Sequence, residues 1–259
     1  MDIKYNYHTH TFRCGHAYGK DEEYILQAIN LGIKELGFSD HVMLPNNDQP
    51  GIRGSYKEYF NDYITSLMFL RERYKDRINI KIGFEAEYYP EYEEYYRNLL
   101  ESKVIDYLIM GQHCYLDGTC LTWYVQKDMT IENVKHYVDD VIKGMKTGLF
   151  KYLCHPDMFV IGLKEWNKDL DNESLRLIRA AKKYNIPLEV NCGGIRYYRK
   201  GRPYQYPCDE FFKLVAKEKA PVVIGMDAHT PEELNKEDYQ RALMMVKRLK
   251  LKLIKDYKI

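Results

Sequence analysis

The feature that most constrains this chain is one rhythm repeated from end to end: a short apolar run, a polar cluster, then an amphipathic helical pattern. Strands that alternate with helices in this way favour parallel βα units. Seven such units in 259 residues predict a single domain over residues 1–259, a closed or nearly closed barrel, with a doubly wound open sheet as the alternative. The predicted strands are Ile3–Tyr7, Glu35–Phe38, Ile78–Phe84, Tyr107–Met110, Tyr152–Cys154, Pro187–Val190 and Val222–Met226.

The helical patterns follow these strands, and two of them begin with recognisable start signals. Ser55 and Glu58 have the spacing of a capping box, and Thr230 precedes a proline at the first helical position. No Pro-, Gly- or Ser-rich linker divides the chain, which favours one domain. The predicted helices lie near residues 21–34, 56–75, 91–101, 131–147, 172–184, 208–219 and 231–251.

Composition excludes several classes of protein. Lys plus Arg is 39 and Asp plus Glu is 38, a net charge of +1, which argues against a protein that grips nucleic acid or an anionic membrane by bulk charge. Hydrophobic residues are 45%, enough to exclude wholesale disorder. No apolar run approaches the roughly 18 residues of a membrane helix, and no export pattern opens the sequence. We therefore expect a cytoplasmic protein, with its six scattered cysteines buried as packing residues rather than joined in disulfides.

Histidine or a carboxylate follows six of the seven predicted strands, at the ends that converge on one face of a βα barrel. The sixth strand ends in Asn191 instead. Of the eight histidines, His16 lies in the first loop and only His136 lies inside a helix. The clusters are His8-Thr9-His10, Asp40-His41, Glu85, His113, His155-Pro156-Asp157 and Asp227-Ala228-His229.

Spacing within these clusters predicts a metal centre. His8 and His10 are two residues apart, so both side chains point to the same face of a strand, and Asp227 and His229 share that spacing. The alternative is a set of buried, hydrogen-bonded histidines, but that many imidazoles without a cation would leave many polar atoms to satisfy. Zinc, iron and manganese all suit imidazole plus carboxylate ligands.

Taken in order, these clusters, extended by Ser39-Asp40-His41, Gly83-Phe84-Glu85 and Gly111-Gln112-His113, resemble the motifs of the PHP (polymerase and histidinol phosphatase) family. The resemblance runs from residue 2 to about residue 235. Within the family the chain is most similar to the histidinol-phosphate phosphatases, through the Phe12–Ala17 and Glu189–Arg196 segments.

The resemblance implies an α/β fold, a distorted (β/α)7 TIM-like barrel, that binds three divalent metal ions. The first ion would take His8, His10, Glu85 and Asp227; the second Glu85 as a bridge, His113 and His155; the third His16, His41 and His229.

It also implies a metal-dependent phosphomonoesterase, a histidinol phosphatase that converts L-histidinol phosphate to L-histidinol and phosphate in L-histidine biosynthesis. A hydroxide bridging two cations would be the nucleophile. Glu85 would bridge the cations, Asp227 would orient the nucleophile, and Asp157 would either protonate the leaving alkoxide or orient a ligand. Asp40 and Glu87 would support neighbouring ligands; Glu87 could instead bind the substrate amine, and its alternative is a solvated side chain.

Two other classes of function stay open at this point. One is another phosphoesterase of this family, acting on nucleotides, phosphoproteins or oligonucleotide ends. The other is a non-catalytic metal-binding or polymerase-associated module, which the complete set of ligands disfavours. A small phosphomonoester is the expected partner, with no nucleic acid and no membrane, and the oligomeric state is left open.

Arg196 is predicted to bind the substrate phosphate, because its guanidinium matches two phosphate oxygens and Gly193-Gly194 would let the backbone approach an anion. The alternative is a solvated loop arginine. Nearby, Arg199, Lys200 and Arg202 alternate with aromatic residues, which in a neutral protein indicates a solvated surface rather than a nucleic-acid patch. A second basic phosphate ligand stays unassigned, since the first candidate after His155-Pro156-Asp157 is Lys164.

Overall fold

A computed structural model describes residues 3–117, 120–125, 128–197 and 203–259. The predicted Arg199, Lys200 and Arg202 stretch lies outside these residues. Every predicted strand overlaps an observed one, because each apolar run is buried on both faces of the sheet. The strands are β1 (Tyr5–Asn6), β2 (Glu35–His41), β3 (Asn79–Ala86), β4 (Tyr107–Met110), β5 (Cys114–Asp117), β6 (Cys120–Trp123), β7 (Phe150–Leu153), β8 (Leu188–Asn191), β9 (Pro221–Gly225) and β10 (Lys252–Leu253).

The main sheet is entirely parallel over the described ranges, in the order β1-β2-β3-β4-β7-β8-β9-β10. Beyond β1 and β9, Thr9 pairs in parallel with Ala228, and the His10 N–H donates to the Ala228 carbonyl at 2.9 Å. The segments that follow β1 and β9 therefore meet at the carboxyl ends of the strands, which closes the sheet there. The predicted barrel is confirmed, and the doubly wound alternative is wrong.

Helices on the outside of the barrel cover the sheet. The helix over Lys168–Lys183 shows why they form: Leu170, Leu177 and Ile178 are buried at helical spacing, and the Asn167 side chain caps the first turn. None of the described helices is both long and apolar enough to cross a bilayer. The helices are α1 (Asp21–Leu31), α2 (Tyr56–Tyr74), α3 (Glu93–Glu101), α4 (Ile131–Thr147), α5 (Lys168–Lys183), α6 (Cys192–Arg196), α7 (Asp209–Glu218) and α8 (Lys236–Leu249).

Two helices begin well away from their predicted starts. Helix α5 begins at Lys168, earlier than the predicted residue 172, because the Asn167 cap precedes the first buried leucine. Helix α8 begins at Lys236 rather than at residue 231. The Thr230-Pro231 signal opens a separate 3-10 turn, Pro231–Glu233, and Asn235 then caps α8 by accepting the Asp238 N–H.

Other local features were absent from the sequence prediction. The antiparallel β5–β6 hairpin, the short helix α6 and the terminal strand β10 do not follow the βα rhythm. The predicted capping box at the start of α2 is wrong: the helix begins at Tyr56, but the Ser55 side chain makes no capping hydrogen bond.

Tyrosines fill the barrel at the amino ends of its strands. Tyr7, Tyr107 and Tyr152 are buried together, and the C-terminal tail packs Tyr257 against them. The Tyr107 hydroxyl lies 2.9 Å from the Tyr7 carbonyl oxygen. Its ring leaves no space for a side chain at Gly83, where an added Cβ would come within 2.6 Å of it. This end of the barrel is a packed core.

Candidate metal centre

The opposite end of the barrel gathers the predicted ligands. Eight of the nine line one cavity of about 340 Å³, and the ninth, His8, is fully buried beside Glu85 and Asp227. They converge because each lies at or just beyond the carboxyl end of a parallel strand, or in the first loop. His136 lies elsewhere, on α4 beside Asp140, as predicted. The eight cavity residues are His10, His16, His41, Glu85, His113, His155, Asp227 and His229.

Four of these side chains form a first compact group of donor atoms. The Nε2 atoms of His8 and His10 both lie 3.5 Å from Glu85 Oε2. The same nitrogens lie 3.4 and 3.2 Å from Asp227 Oδ1. Metal–ligand bonds of about 2.1 Å in a tetrahedron place ligand atoms about 3.4 Å apart, so this group has the spacing that an ion needs.

A second group uses the other oxygen of Glu85. Glu85 Oε1 lies 2.8 Å from His155 Nε2 and 3.4 Å from His113 Nε2, and the two ring nitrogens are 3.2 Å apart. Burial raises the pKa of the Glu85 carboxyl, but the facing His113 and His8 lower it well below its ordinary range. An ionised Glu85 therefore presents one oxygen to each group, the arrangement of a bridging carboxylate.

The remaining histidines form a third group at the mouth of the cavity. The ring of His16 lies 5.3 Å from that of His41 and 5.0 Å from that of His229, measured between centroids. His10 stacks on His229 at 4.1 Å. Cys14 also contributes a possible ligand, since its sulfur and one nitrogen each of His16 and His229 lie within 4.8 Å of one another. Three imidazoles thus share a space next to the first group.

Several polar atoms in these groups are buried without a hydrogen-bond partner among the described residues. They include Nε2 of His8, both ring nitrogens of His10, Nδ1 of His41 and Oε2 of Glu85. Buried polar atoms in folded proteins are nearly always paired, and an unpaired one costs about 1–3 kcal/mol. The clustering of such atoms around common points fits bound cations, so the residues present suit a metal centre.

Buried carboxylates orient two of the ring donors from behind. Glu189 Oε1 lies 2.8 Å from His8 Nδ1, and Glu87 Oε1 lies 3.1 Å from His113 Nδ1. Arg53 in turn donates to Glu87 Oε2 at 2.9 Å. Such contacts place the ring proton on Nδ1 and leave Nε2 as the donor toward the cavity. Glu87 therefore supports a predicted ligand, one of its two anticipated roles; the role of Glu189 was missed, although a lone carboxylate inside an apolar strand was a signal for it.

The electrostatics of the cluster divide its histidines into two sets, one with raised and one with lowered pKa values. Burial lowers the pKa of His10, but the nearby carboxylates of Asp227 and Asp40 outweigh it and raise the pKa to about 9. Burial and the charge of His10 lower the pKa of His229 to about 3 and that of His41 well below its ordinary range. Since a metal binds the neutral ring, His41 and His229 are ready to bind one near neutral pH.

Asn191, the exception among the strand ends, orients Asp227. Its amide nitrogen donates to Asp227 Oδ2 at 3.1 Å and to Glu189 at 2.7 Å, while its oxygen accepts the Gly194 N–H. Asp227 Oδ1 is left facing His8, as described above. The polar residue that breaks the histidine pattern is thus part of the same site.

Asp157 lies behind the cavity rather than in its lining. Its carboxyl is fully buried and accepts the backbone N–H of Cys208 at 2.5 Å, which ties the segment after β7 to the start of α7. Burial raises its pKa to about 7. A proton donor must reach the leaving group. Asp157 is not among the residues that line the cavity, so its two anticipated roles, proton donor or support for a ligand, stay predictions.

The structure also places the Arg196 side chain away from its predicted position in the cavity. Its guanidinium does not line the cavity; it donates to backbone carbonyls of the loop after β9 and pairs with Glu233 and Asp238. The predicted contact with substrate phosphate is therefore not supported. Lys164 pairs with Asp128 on the surface, with its side chain 80% exposed, and does not supply a phosphate ligand either.

Comparisons with known proteins agree with this geometry. The model of the PHP domain family matches residues 6–193. A protein of Deinococcus radiodurans named "probable histidinol-phosphatase" is 27% identical over 235 residues, 88% of this chain and 86% of its own length. A Schizosaccharomyces pombe protein of the same name is 25% identical over 255 residues, 90% of this chain and 82% of its own.

A solved structure shares the fold over nearly the whole chain. It is the histidinol phosphate phosphatase of Lactococcus lactis, complexed with zinc, L-histidinol and phosphate. The two chains superpose with a TM-score of 0.71 at 17% identity, covering 98% of this chain and 96% of that one. The match of the family model to most of the chain, together with the gathered strand-end motifs, shows that this chain belongs to the PHP domain family.

Proposed function

We propose that this chain hydrolyses L-histidinol phosphate to L-histidinol and phosphate, the step that histidine biosynthesis requires. At the coarser level the chain is an enzyme, a metal-dependent phosphoesterase of the PHP family. The observation that carries the proposal is the bridging geometry of Glu85, whose two oxygens face two different groups of histidines. Two curated relatives named histidinol-phosphatase support the choice of substrate.

The proposed cofactor is a set of three divalent ions, zinc, iron or manganese. The donor atoms described above would hold them as follows: the first by His8, His10, Glu85 and Asp227; the second by Glu85, His113 and His155; the third by His16, His41 and His229.

When bound, these ions would offset the phosphate charge and lower the pKa of a water that attacks phosphorus. The chain's own residues prepare that chemistry. Glu189 and Glu87 keep His8 and His113 in the ring orientation that presents Nε2. Asn191 holds one oxygen of Asp227 and leaves the other toward the cavity.

Apart from the proposed ligands, the cavity has a mostly apolar wall, which would contact the leaving group. Its residues include Ile52, Trp123, Met158 and Tyr206. Among the described residues, the lining has no lysine or arginine, and its two carboxylates, Glu85 and Asp227, are proposed ligands. A planar ring such as imidazole matches an aromatic and apolar wall better than a sugar does.

Steady-state kinetics of the metal-loaded protein test the substrate. The panel is histidinol phosphate, glycerol phosphate, adenosine monophosphate, a phosphotyrosine peptide and a phosphodiester. We expect the highest kcat/KM with histidinol phosphate, and growth without histidine when the gene is placed in a host that lacks its own histidinol phosphatase. Preference for a nucleotide or phosphopeptide, with failed complementation by metal-loaded protein, would replace the substrate while leaving phosphoester hydrolysis intact.

A matched pair of variants tests the wall. Trp123→Ala should lower kcat/KM for histidinol phosphate by roughly tenfold and leave that for methyl phosphate, which has no ring, nearly unchanged. Met244→Ala, at another exposed apolar residue, which lies on α8 outside the cavity, is the control and should change neither value. Equal losses on both substrates would show that Trp123 supports the site without contacting the leaving group.

A further inference from the structure

The loop that follows β9 carries two predicted ligands and holds one of them in an unfavourable backbone conformation. Asp227 has a φ of 48°, in the left-handed region that side-chain-bearing residues seldom adopt, and His229 follows two residues later. Such strain costs about 1–3 kcal/mol and persists only where surrounding contacts hold it. The contacts that hold this loop therefore decide where both ligands lie.

Arg196 makes those contacts from the adjacent helix α6. Its guanidinium lies 3.1 Å from the carbonyl oxygen of Met226 and 3.4 Å from that of Asp227, the carbonyls on either side of the strained residue. It also donates to the carbonyl of Glu233 at 3.1 Å, where the loop ends. One side chain thus binds the beginning and the end of residues 226–233, a segment we call the β9 loop.

Two carboxylates fix the guanidinium in turn. Asp238 on α8 accepts from Arg196 Nε at 2.8 Å. Glu233 Oε2 lies 3.1 Å from Arg196 Nη1 and also accepts the backbone N–H of His229 at 2.7 Å. The Tyr197 hydroxyl donates to the other oxygen of Glu233. The Arg196 side chain is only 14% exposed, so these partners take up its donors inside the protein.

We propose that Arg196 is a positioning residue for the metal centre, an inference that rests on the proposed metal-dependent function. It sets the β9 loop so that Asp227 and His229 meet the other ligands, and it does not bind the phosphate of the substrate. A lysine at this position would retain one charge but could not form the fork of contacts to three carbonyls and two carboxylates.

Metal binding by purified protein tests the proposal without a substrate. Elemental analysis after removal of free Zn²⁺ and competition with a coloured chelator give the number and affinity of bound ions. We expect Arg196→Met to weaken Zn²⁺ binding by about 10–100-fold, the usual effect of losing a residue that supports a ligand, with Arg196→Lys in between. The visible spectrum of the Co²⁺-loaded variants should change, since it reports ligand geometry.

Arg241→Ala is the matched control. Arg241 donates to the Ile195 carbonyl and lies 3.5 Å from the same Asp238, but none of its described contacts reaches the β9 loop. Its Zn²⁺ content, Zn²⁺ affinity and Co²⁺ spectrum should match those of the wild type. Should Arg196→Met fail to fold, Glu233→Gln tests the same loop, because it removes the charge that joins Arg196 to the His229 N–H; weaker Zn²⁺ binding is again expected.

The affinity for inorganic phosphate distinguishes a positioning role of Arg196 from a phosphate-binding role. With metal saturating, a positioning role predicts that Arg196→Lys changes the Kd for inorganic phosphate less than about threefold, well below the loss expected on removing a charged hydrogen bond. Two results together would overturn the proposal. The first is a wild-type metal content and spectrum in both Arg196→Lys and Glu233→Gln, and the second is phosphate binding weakened at least tenfold in Arg196→Lys. Because no turnover is measured, the result holds even if histidinol phosphate is not the substrate.

Discussion

Both ends of the barrel are built from ring side chains, but the polar atoms of these rings differ in their hydrogen bonding. At the amino ends of the strands, buried tyrosines place their hydroxyls on backbone carbonyls, as Tyr107 does on those of Tyr7 and Phe38. At the carboxyl ends, histidines such as His8 and His10 have buried nitrogens with no partner among the described residues. A buried polar atom that is paired stabilises a fold, whereas an unpaired one costs free energy and indicates a site kept for a ligand. The first end is therefore structural and the second functional.

The largest effect is expected from a substitution at the carboxyl ends of the strands, where Asp227 lies. Asp227→Asn keeps the shape of the side chain but removes the charge of a proposed ligand, so kcat should fall by about a thousandfold or more. The midpoint of thermal unfolding of the metal-free protein should fall only modestly, because Asp227→Asn loses the charge that pairs with His10 but leaves no cavity. Turnover of any accepted phosphomonoester, with calorimetry of metal-free protein, measures both. A kcat within tenfold of wild type would show that Asp227 is not a ligand.

The converse change is at the tyrosine end. Tyr107→Ala leaves a cavity and removes a hydroxyl bonded to two strands, so the free energy of unfolding should fall by about 3–5 kcal/mol. The kcat of the remaining folded protein should stay close to that of wild type. Urea unfolding gives the first quantity, and Tyr107→Phe, the control, should lose only about 1–2 kcal/mol. A large loss of kcat at full folding would mean that the two ends are coupled.

A smaller effect is expected from a change at Glu87, which lies behind His113. Glu87→Gln keeps a side chain next to His113 but cannot hold the ring proton as a carboxylate does, and Zn²⁺ affinity should fall about 10–100-fold. Chelator competition measures it. Glu94→Gln, a change of the same chemistry at the exterior helix α3, is the control. Equal affinities for both variants would mean that Glu87 does not orient a ligand.

The smallest effect concerns pH. Burial raises the folded-state pKa of Asp157 to about 7, above the unfolded value of about 3.9. The neutral carboxyl therefore contributes stability that is complete below about pH 4 and is lost as the pH rises through about 7. Asp157→Asn stays neutral, so wild type should lose stability relative to this variant between about pH 5 and pH 8.

Urea unfolding at both pH values measures this difference. Asp76→Asn, at an exposed position, is the control, and its stability should follow that of wild type with pH. Parallel pH profiles for wild type and Asp157→Asn would contradict the assigned ionisation.

Local sequence was enough to predict parallel βα units and the face on which their polar residues meet, whereas a doubly wound sheet remained an alternative to the barrel. Parallel strands end on one face, so a polar residue that follows each apolar run, such as Glu85 or His155, reaches that face whatever the details of packing. The spacing of His8 and His10 likewise determined that both point the same way. These are properties of strand periodicity, and they need no knowledge of distant residues.

Tertiary structure decided which atoms meet and what each supporting residue does. Residues far apart in the chain, such as His8 and Glu189 or Arg196 and Asp238, come into contact only when the barrel closes. In the sequence Arg196 is a candidate phosphate ligand. In the fold its long side chain turns to the β9 loop instead, where it donates to the carbonyl of Met226 next to the strained Asp227. Periodicity determines the face on which a side chain lies, whereas its partner depends on side-chain direction and on contacts that local sequence does not specify.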